Sequence, residues 1–316
     1  MLLDLLLLIV GFILLIKGAD IFVDGSSSVA TNFKVSKMLI GLTIVAFGTS
    51  APEFAVSVKS LLSGNGDIVL GNVIGSNILN ILLILGVASL VHTLKVKDNT
   101  VKKEIPITIL FSLVFTVLLT DHLFDKGIPS LFTRSDGIIL ILFFSIFIYY
   151  LFTIMKNKTD DDDDAKKMSL FKSFIYVIVG ILGIVFGSNF VVDSASSIAS
   201  ILGVSERMIG LTIVALGTSL PELVTSVVAT KRGEYDIAIG NVVGSNIFNI
   251  GMVIGLPTAL LGGIGSVTVN YIDLVVMIVA AIMLFAFSYK KHTLTKKAGI
   301  AFLILFVVYY SYVILG

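Results

Sequence analysis

Cysteine is absent from the 316 residues, which excludes a disulfide framework, an iron–sulfur cluster, a thiolate zinc site and a cysteine nucleophile. Charge is scarce as well. Asp, Glu, Lys and Arg make up 14% of the chain, against roughly 25% in soluble domains. Those charges fall in short clusters between apolar runs of about 20 residues, the length that crosses a bilayer. A net charge of +1 leaves no basic surface for nucleic acid. His92, His122 and His292 all fall in polar connections. The Asp pair, Ser–His set or H-E-x-x-H motif that an intramembrane hydrolase requires is missing, so the chain is read as a non-enzyme without a cofactor.

What is present is 56% hydrophobic residue and 28 glycines. The apolar stretches predict an all-α integral membrane protein of ten helices, at about 2–31, 36–62, 68–91, 104–120, 136–155, 171–200, 206–230, 236–261, 270–289 and 296–315. A β-barrel is disfavoured because the runs lack period-two alternation and are twice the length of a tilted strand. No basic residue precedes the first run, so it is read as a retained span rather than a cleaved signal. Seventeen basic residues fall in the odd-numbered connections and four in the even ones. The positive-inside rule then puts both termini outside and the 156–172 loop in the cytoplasm of a multi-pass protein of the cell membrane. Within that loop the run Asp160–Asp164 reads as a solvated, self-repelling linker.

Sliding the sequence on itself by 169 residues aligns Ile40–Val58 with Ile209–Val227 at 14 of 19 identical positions, and Leu70–Ile81 with Ile239–Ile250 at 9 of 12. The chain is therefore divided into a five-helix repeat at 1–156, a linker at 157–170 and a second five-helix repeat at 171–316, forming one membrane domain. An odd number of spans per copy makes the two repeats inverted in the membrane.

Each copy carries a glutamate in the middle of a span, Glu53 and Glu222, where a carboxylate is costly unless it faces a cavity or a partner. Pro52 and Pro221 precede them and release the carbonyls of Gly48 and Gly217. Helical spacing aligns Ala46, Thr49, Ser50, Glu53 and Ser57 on one stripe, with Ala215, Thr218, Ser219, Glu222 and Ser226 as the matching set. In the next span Asn72, Ser76 and Asn80, matched by Asn241, Ser245 and Asn249, recur at four-residue intervals. These are hard oxygen donors, suited to Na⁺ and Ca²⁺ rather than zinc or copper. Two carboxylates balance one Ca²⁺, or accept two to three Na⁺. Gly71 with Gly75, and Gly240 with Gly244, are read as close-packing sites. Lys17 and Asp20 are expected to form a local ion pair, and Asp67 and Asp236 to act as helix N-caps.

The blocks G-T-S-A-P-E with G-N-V-I-G-S-N-I-L-N, and G-T-S-L-P-E with G-N-V-V-G-S-N-I-F-N, resemble the two alpha-repeats of the sodium/calcium exchanger family. The resemblance implies a ten-helix fold in which helices 2, 3, 7 and 8 enclose four cation sites, while helices 1 and 6 slide during alternating access. It implies Ca²⁺ ligation by Glu53 and Glu222 with the carbonyls of Thr49 and Thr218. It further implies Na⁺ ligation by Ala46, Ser50, Ser76, Ala215, Ser219 and Ser245, with Asn80 and Asn249 lining the centre. Potassium-dependent relatives have an acidic residue where this chain has Asn249, which favours Na⁺/Ca²⁺ exchange without K⁺. A Ca²⁺/H⁺ antiporter is the alternative, although that branch typically has a Glu in its G-N-x-x-E block where this chain has Gly75 and Gly244. The partners implied are Ca²⁺ and Na⁺ as substrates and the lipid bilayer.

Overall fold

The computed structural model of the chain describes residues 1–124, 130–156, 168–204, 209, 212–213, 215–266 and 269–315. The acidic run Asp160–Asp164 and the connection 205–208 lie outside the described residues. The fold is almost entirely helical: α1 Leu2–Phe33, α2 Lys37–Thr49, α3 Ala51–Leu62, α4 Gly66–Val91, α5 Ile105–Leu119, α6 Arg134–Lys156, α7 Leu170–Ile201, α8 Ala215–Thr218, α9 Leu220–Lys231, α10 Tyr235–Leu261, α11 Tyr271–Tyr289 and α12 Lys296–Leu315. Among the described residues, seven helices are singly long and apolar enough to cross a membrane, or eight with the bent pair α2–α3 taken as one span. The expected helical class holds, and the connections add two short ladders. Two-residue strands pair Leu94–Lys95 with Thr293–Leu294, and Leu131–Phe132 with Gly265–Ser266, both antiparallel. These short ladders satisfy backbone groups where helices end and tie the connections of one half to those of the other.

The long helices α1 and α7 lie together along a seam of glycines. A Cβ added at Gly18 would sit 2.7 Å from the Ile184 nitrogen, and one at Gly187 2.5 Å from the Leu15 nitrogen. The backbones touch because no side chain separates them. The opposite faces carry exposed Leu6, Ile9, Ile13 and Ile16 on α1 and Phe171, Ile178 and Phe186 on α7, the surface a bilayer solvates.

Helix α10 is the most enclosed of the long helices, with 94% of its apolar window buried. It crosses α2 at glycine, since a Cβ on Gly41 would meet the Gly240 Cα at 3.0 Å and one on Gly244 would meet the Ala46 Cβ at 2.8 Å. The close-packing reading of Gly240 and Gly244 thus holds. Gly71 and Gly75 differ: no described atom lies within 4 Å of a Cβ placed on either.

Two electrostatic expectations are corrected. Asp20 pairs with Arg232 at 2.9 Å rather than with Lys17, and Arg232 also binds Asp24. The reason is reach: the Arg232 fork, just past the end of α9, spans two carboxylates one turn apart on α1. Glu234 extends the contact, accepting from Ser27 Oγ at 3.1 Å and pairing with Lys37 Nζ at 3.0 Å. Asp67 and Asp236 are not N-caps. Asn65 and Glu234 hold those positions, and Asp236, second in its helix, pairs with Lys97 Nζ at 2.7 Å.

Candidate functional site

The break between α2 and α3 falls at Ser50, whose φ of −82° and ψ of 6° leave the helical region, and the two pieces bend by 46°. Pro52 stands in the first turn of α3, where its missing N–H costs nothing and its fixed φ favours the helix. Ser219 repeats the break with φ −89° and ψ 2°, and Pro221 opens α9. Each glutamate therefore projects from the first turn of a restarted helix. Glu53 and Glu222 are both 1% exposed.

Asparagines on α4 and α10 fasten these turns, identically in the two halves. Asn72 Nδ2 donates to the Glu53 carbonyl and to Ser57 Oγ, each at 3.1 Å. Asn241 Nδ2 donates to the Glu222 carbonyl at 3.4 Å and to Ser226 Oγ at 3.0 Å. The halves are then stitched to each other. Ser50 Oγ donates to Glu222 Oε1 at 3.0 Å, and Thr49 Oγ1 donates to Asn241 Oδ1 at 2.9 Å. A π-turn begins at Asn80 on α4 and another at Asn249 on α10, widening the helix where those two amides lie. Such turns are frequent at functional sites.

The structure brings most of the residues singled out above into buried positions. Ala46, Thr49, Ser50, Ser76, Asn80, Ser219, Ser245 and Asn249 are each 3% exposed or less, and Thr218 is half-buried. The side chain of Ala215 is outside the described residues. The carbonyl of Gly217, left without its helical partner by Pro221, accepts from Ser188 Oγ on α7 at 3.0 Å. It is therefore a helix–helix tie. The corresponding position of α1 is Ala19, which has no hydroxyl to offer.

A cluster of buried oxygens remains without a protein partner: both carboxylate oxygens of Glu53, Oε2 of Glu222, Oδ1 of Asn80 and Asn249, and Oγ of Ser219 and Ser245. Burying an unpaired polar oxygen is unfavourable, and burying an unpaired carboxylate far more so. An oxygen-only set with two carboxylates is therefore compensated by a bound cation or by protons. No group of three or more His, Cys, Asp or Glu residues that could hold a metal ion occurs among the described residues. Asn77 and Asn246, which are not among the residues singled out from the sequence, are buried beside this cluster. They lie inside the aligned blocks, and their recurrence at the 169-residue offset was the available signal.

Apolar helices wrapped around a buried, doubly acidic centre of hard oxygens define a membrane cation transporter. The chain belongs to the sodium/calcium exchanger protein family, whose pattern matches residues 3–153 and 172–315. Similar relatives include a putative antiporter, CaxA, of Alkalimonas amylolytica, 36% identical over 99% of this chain and 98% of that protein. The sodium/calcium exchanger MaX1 of Methanosarcina acetivorans is 32% identical over 79% of this chain and 81% of its own length. Among solved structures, the sodium-calcium exchanger NCX_Mj soaked with 10 mM Na⁺ and zero Ca²⁺ matches with a TM-score of 0.83 and 33% identity, over 97% of each chain. Members of this family are transporters, not enzymes.

Proposed function

We propose that the protein is a secondary antiporter that exchanges Na⁺ for Ca²⁺ across the cell membrane by alternating access around the Glu53–Glu222 centre. The observation that carries the reading is the group of seven unpartnered buried oxygens drawn from both halves of the chain. Glu53 and Glu222 supply a charge of −2 for one Ca²⁺, with the carbonyls of Thr49 and Thr218. Ser50, Ser76, Ser219 and Ser245, with the carbonyls of Ala46 and Ala215, complete sites for Na⁺, and Asn80 and Asn249 line the centre. Because one set of carboxylates serves both ions, loading one ion excludes the other. Only fully loaded states lower the cost of closing the site to water, and this couples the two fluxes.

Ten spans in two inverted repeats, 1–156 and 171–316 about the linker 157–170, is the arrangement that best accommodates this mechanism. Two observations support it. The bonds Asn72–Glu53–Ser57 and Asn241–Glu222–Ser226 recur at the 169-residue offset. The two strand pairs also interchange when the halves do, as connections 3–4 with 9–10 become 8–9 with 4–5. The distribution of basic residues supports an orientation with both termini outside and the 156–172 loop in the cytoplasm.

The deciding experiment is ⁴⁵Ca²⁺ uptake by purified protein in liposomes under imposed Na⁺, K⁺ or H⁺ gradients. Uptake driven by Na⁺ is expected; uptake driven only by H⁺ would make the protein a Ca²⁺/H⁺ antiporter, and gradient-independent flux would make it a channel. With an amide at position 249, Na⁺-driven uptake is expected to run without K⁺, while Asn249→Asp alters cation selectivity by adding a central negative charge. A strict K⁺ requirement in the wild type would remove the basis for that expectation. Acidification is expected to weaken Ca²⁺ binding competitively, since a protonated carboxyl offers no charge to the ion, and saturating Ca²⁺ should restore it.

A further inference from the structure

We infer that Asn246 is a positioning residue for the central site, which turns the amide of Asn80 so that only its oxygen faces the ions, while Asn77 holds Asn249 in the same sense through a bond that can reverse. The inference rests on the cation site proposed above and deepens it.

An asparagine amide presents a donor end and an acceptor end of nearly the same shape. Beside a cation the wrong end is repulsive, so a buried amide serves as a ligand only if something fixes its NH₂ elsewhere. Asn80 Nδ2 donates to Asn246 Oδ1 at 2.9 Å, and Asn249 Nδ2 donates to Asn77 Oδ1 at 3.2 Å. Both bonds run between α4 and α10, and each leaves one buried oxygen without a partner, Oδ1 of Asn80 and Oδ1 of Asn249.

These bonds alone would permit every amide in a pair to reverse together. A third bond forbids it on one side. Asn246 Nδ2 donates to the main-chain carbonyl of Asn77 at 3.2 Å, and a carbonyl only accepts. Asn246 must therefore keep its NH₂ on that carbonyl and its oxygen on Asn80. Asn80 must answer with its NH₂, and its own oxygen is left for the centre. The chain of bonds ends in a backbone group that no side-chain rotation reverses.

The other side is held differently. Asn77 Nδ2 rests on Met277 Sδ at 3.9 Å, and a thioether is a weak acceptor. Little opposes a rotation that would bring the Asn77 NH₂ round to position 249. The two halves thus differ in what they tolerate. A carboxylate at position 249 finds a donor once Asn77 turns, whereas a carboxylate at position 80 faces the fixed oxygen of Asn246. Central negative charge can be added from one side only.

The experiment is a mutant cycle on the full-length protein, reading equilibrium Ca²⁺ binding by titration calorimetry and Na⁺-driven uptake in liposomes. Asn246→Ala is expected to weaken apparent Ca²⁺ affinity about tenfold, the loss of roughly one ligand, with the maximal rate much less affected. Asn80→Ala should do the same. The double variant should bind no more weakly than Asn80→Ala alone, because Asn246 acts only through Asn80. Additive losses would overturn the inference, since a residue that merely knits two helices adds its effect to any other.

A second arm needs no alanine variant. Asn80→Asp is expected to lose at least tenfold more Ca²⁺ affinity than Asn249→Asp, or to lose folded yield where Asn249→Asp keeps it. Equal affinity and equal melting temperature in the two aspartate variants would defeat the asymmetric lock. Failure of the underlying reading is separable: wild-type protein that moves no Ca²⁺ under any gradient defeats the transport proposal. Wild-type transport with additive losses defeats only the amide lock.

Discussion

Glu53→Ala and Glu222→Ala are each expected to abolish Na⁺-driven ⁴⁵Ca²⁺ uptake in proteoliposomes, a loss of at least about 100-fold. The reasoning is electrostatic. Both side chains are 1% exposed, and three of their four carboxylate oxygens have no protein partner. A Ca²⁺ stripped of water in such a site depends on two negative charges, and removing one leaves a net positive charge buried in a medium that screens poorly. Glutamine keeps the shape but not the charge, so Glu→Gln should be severe as well. The two positions need not respond alike to removal of neighbours. Glu222 already accepts from Ser50 at 3.0 Å, whereas its counterpart pair, Ser219 and Glu53, is not hydrogen-bonded. Near-normal Ca²⁺ flux in folded protein carrying either alanine would show that the ion binds elsewhere.

The second large effect is expected at the glycine seam between α1 and α7. A Cβ on Gly180 would lie 2.6 Å from the backbone nitrogen and Cα of Phe22, and one on Gly187 2.5 Å from the Leu15 nitrogen. These neighbours are main chain in the middle of helices and have no rotamer to change. Gly187→Ala should therefore cost about 1–3 kcal/mol of stability through overpacking, and valine at Gly180 or Gly187 more. The family resemblance implies that these two helices slide during alternating access, so the same wedge should slow exchange even where the protein folds. Melting temperature in detergent and initial uptake rate measure the two effects. Ile16→Ala, on the exposed face of α1, is the comparison expected to change neither. Wild-type melting and uptake in Gly180→Val and Gly187→Val would mean that α1 and α7 are not closely apposed in the working protein.

Hydropathy, proline position and the 169-residue self-similarity were enough to place nearly every helix to within a few residues and to single out Glu53 and Glu222. Those features are local to the chain. An apolar run of 20 residues has few alternatives in lipid, a proline interrupts a helix wherever that helix goes, and a duplicated block is visible without folding. The two buried glutamates were legible for the same reason, as a carboxylate inside such a run has no other rationale. The grouping of Ser50 with Glu222, and of Thr49 with Asn241, followed only loosely from placing both stripes toward one centre.

The tertiary structure alone decided the partners that the duplication did not predict. Arg232 binds Asp20 and Asp24, which lie more than 200 positions away, and Ser188 takes the Gly217 carbonyl that the proline released. At the equivalent positions of the first half stand Ser63, for Arg232, and Ala19, for Ser188, so each contact exists once. The same holds for the amides. Asn77 and Asn246 are identical residues at equivalent positions, yet one rests on a backbone carbonyl and the other against a thioether. Sequence symmetry fixes which groups are available in each half. The direction of a hydrogen bond depends on how the halves dock and on which neighbour arrives at each end, and that is a property of the packed molecule.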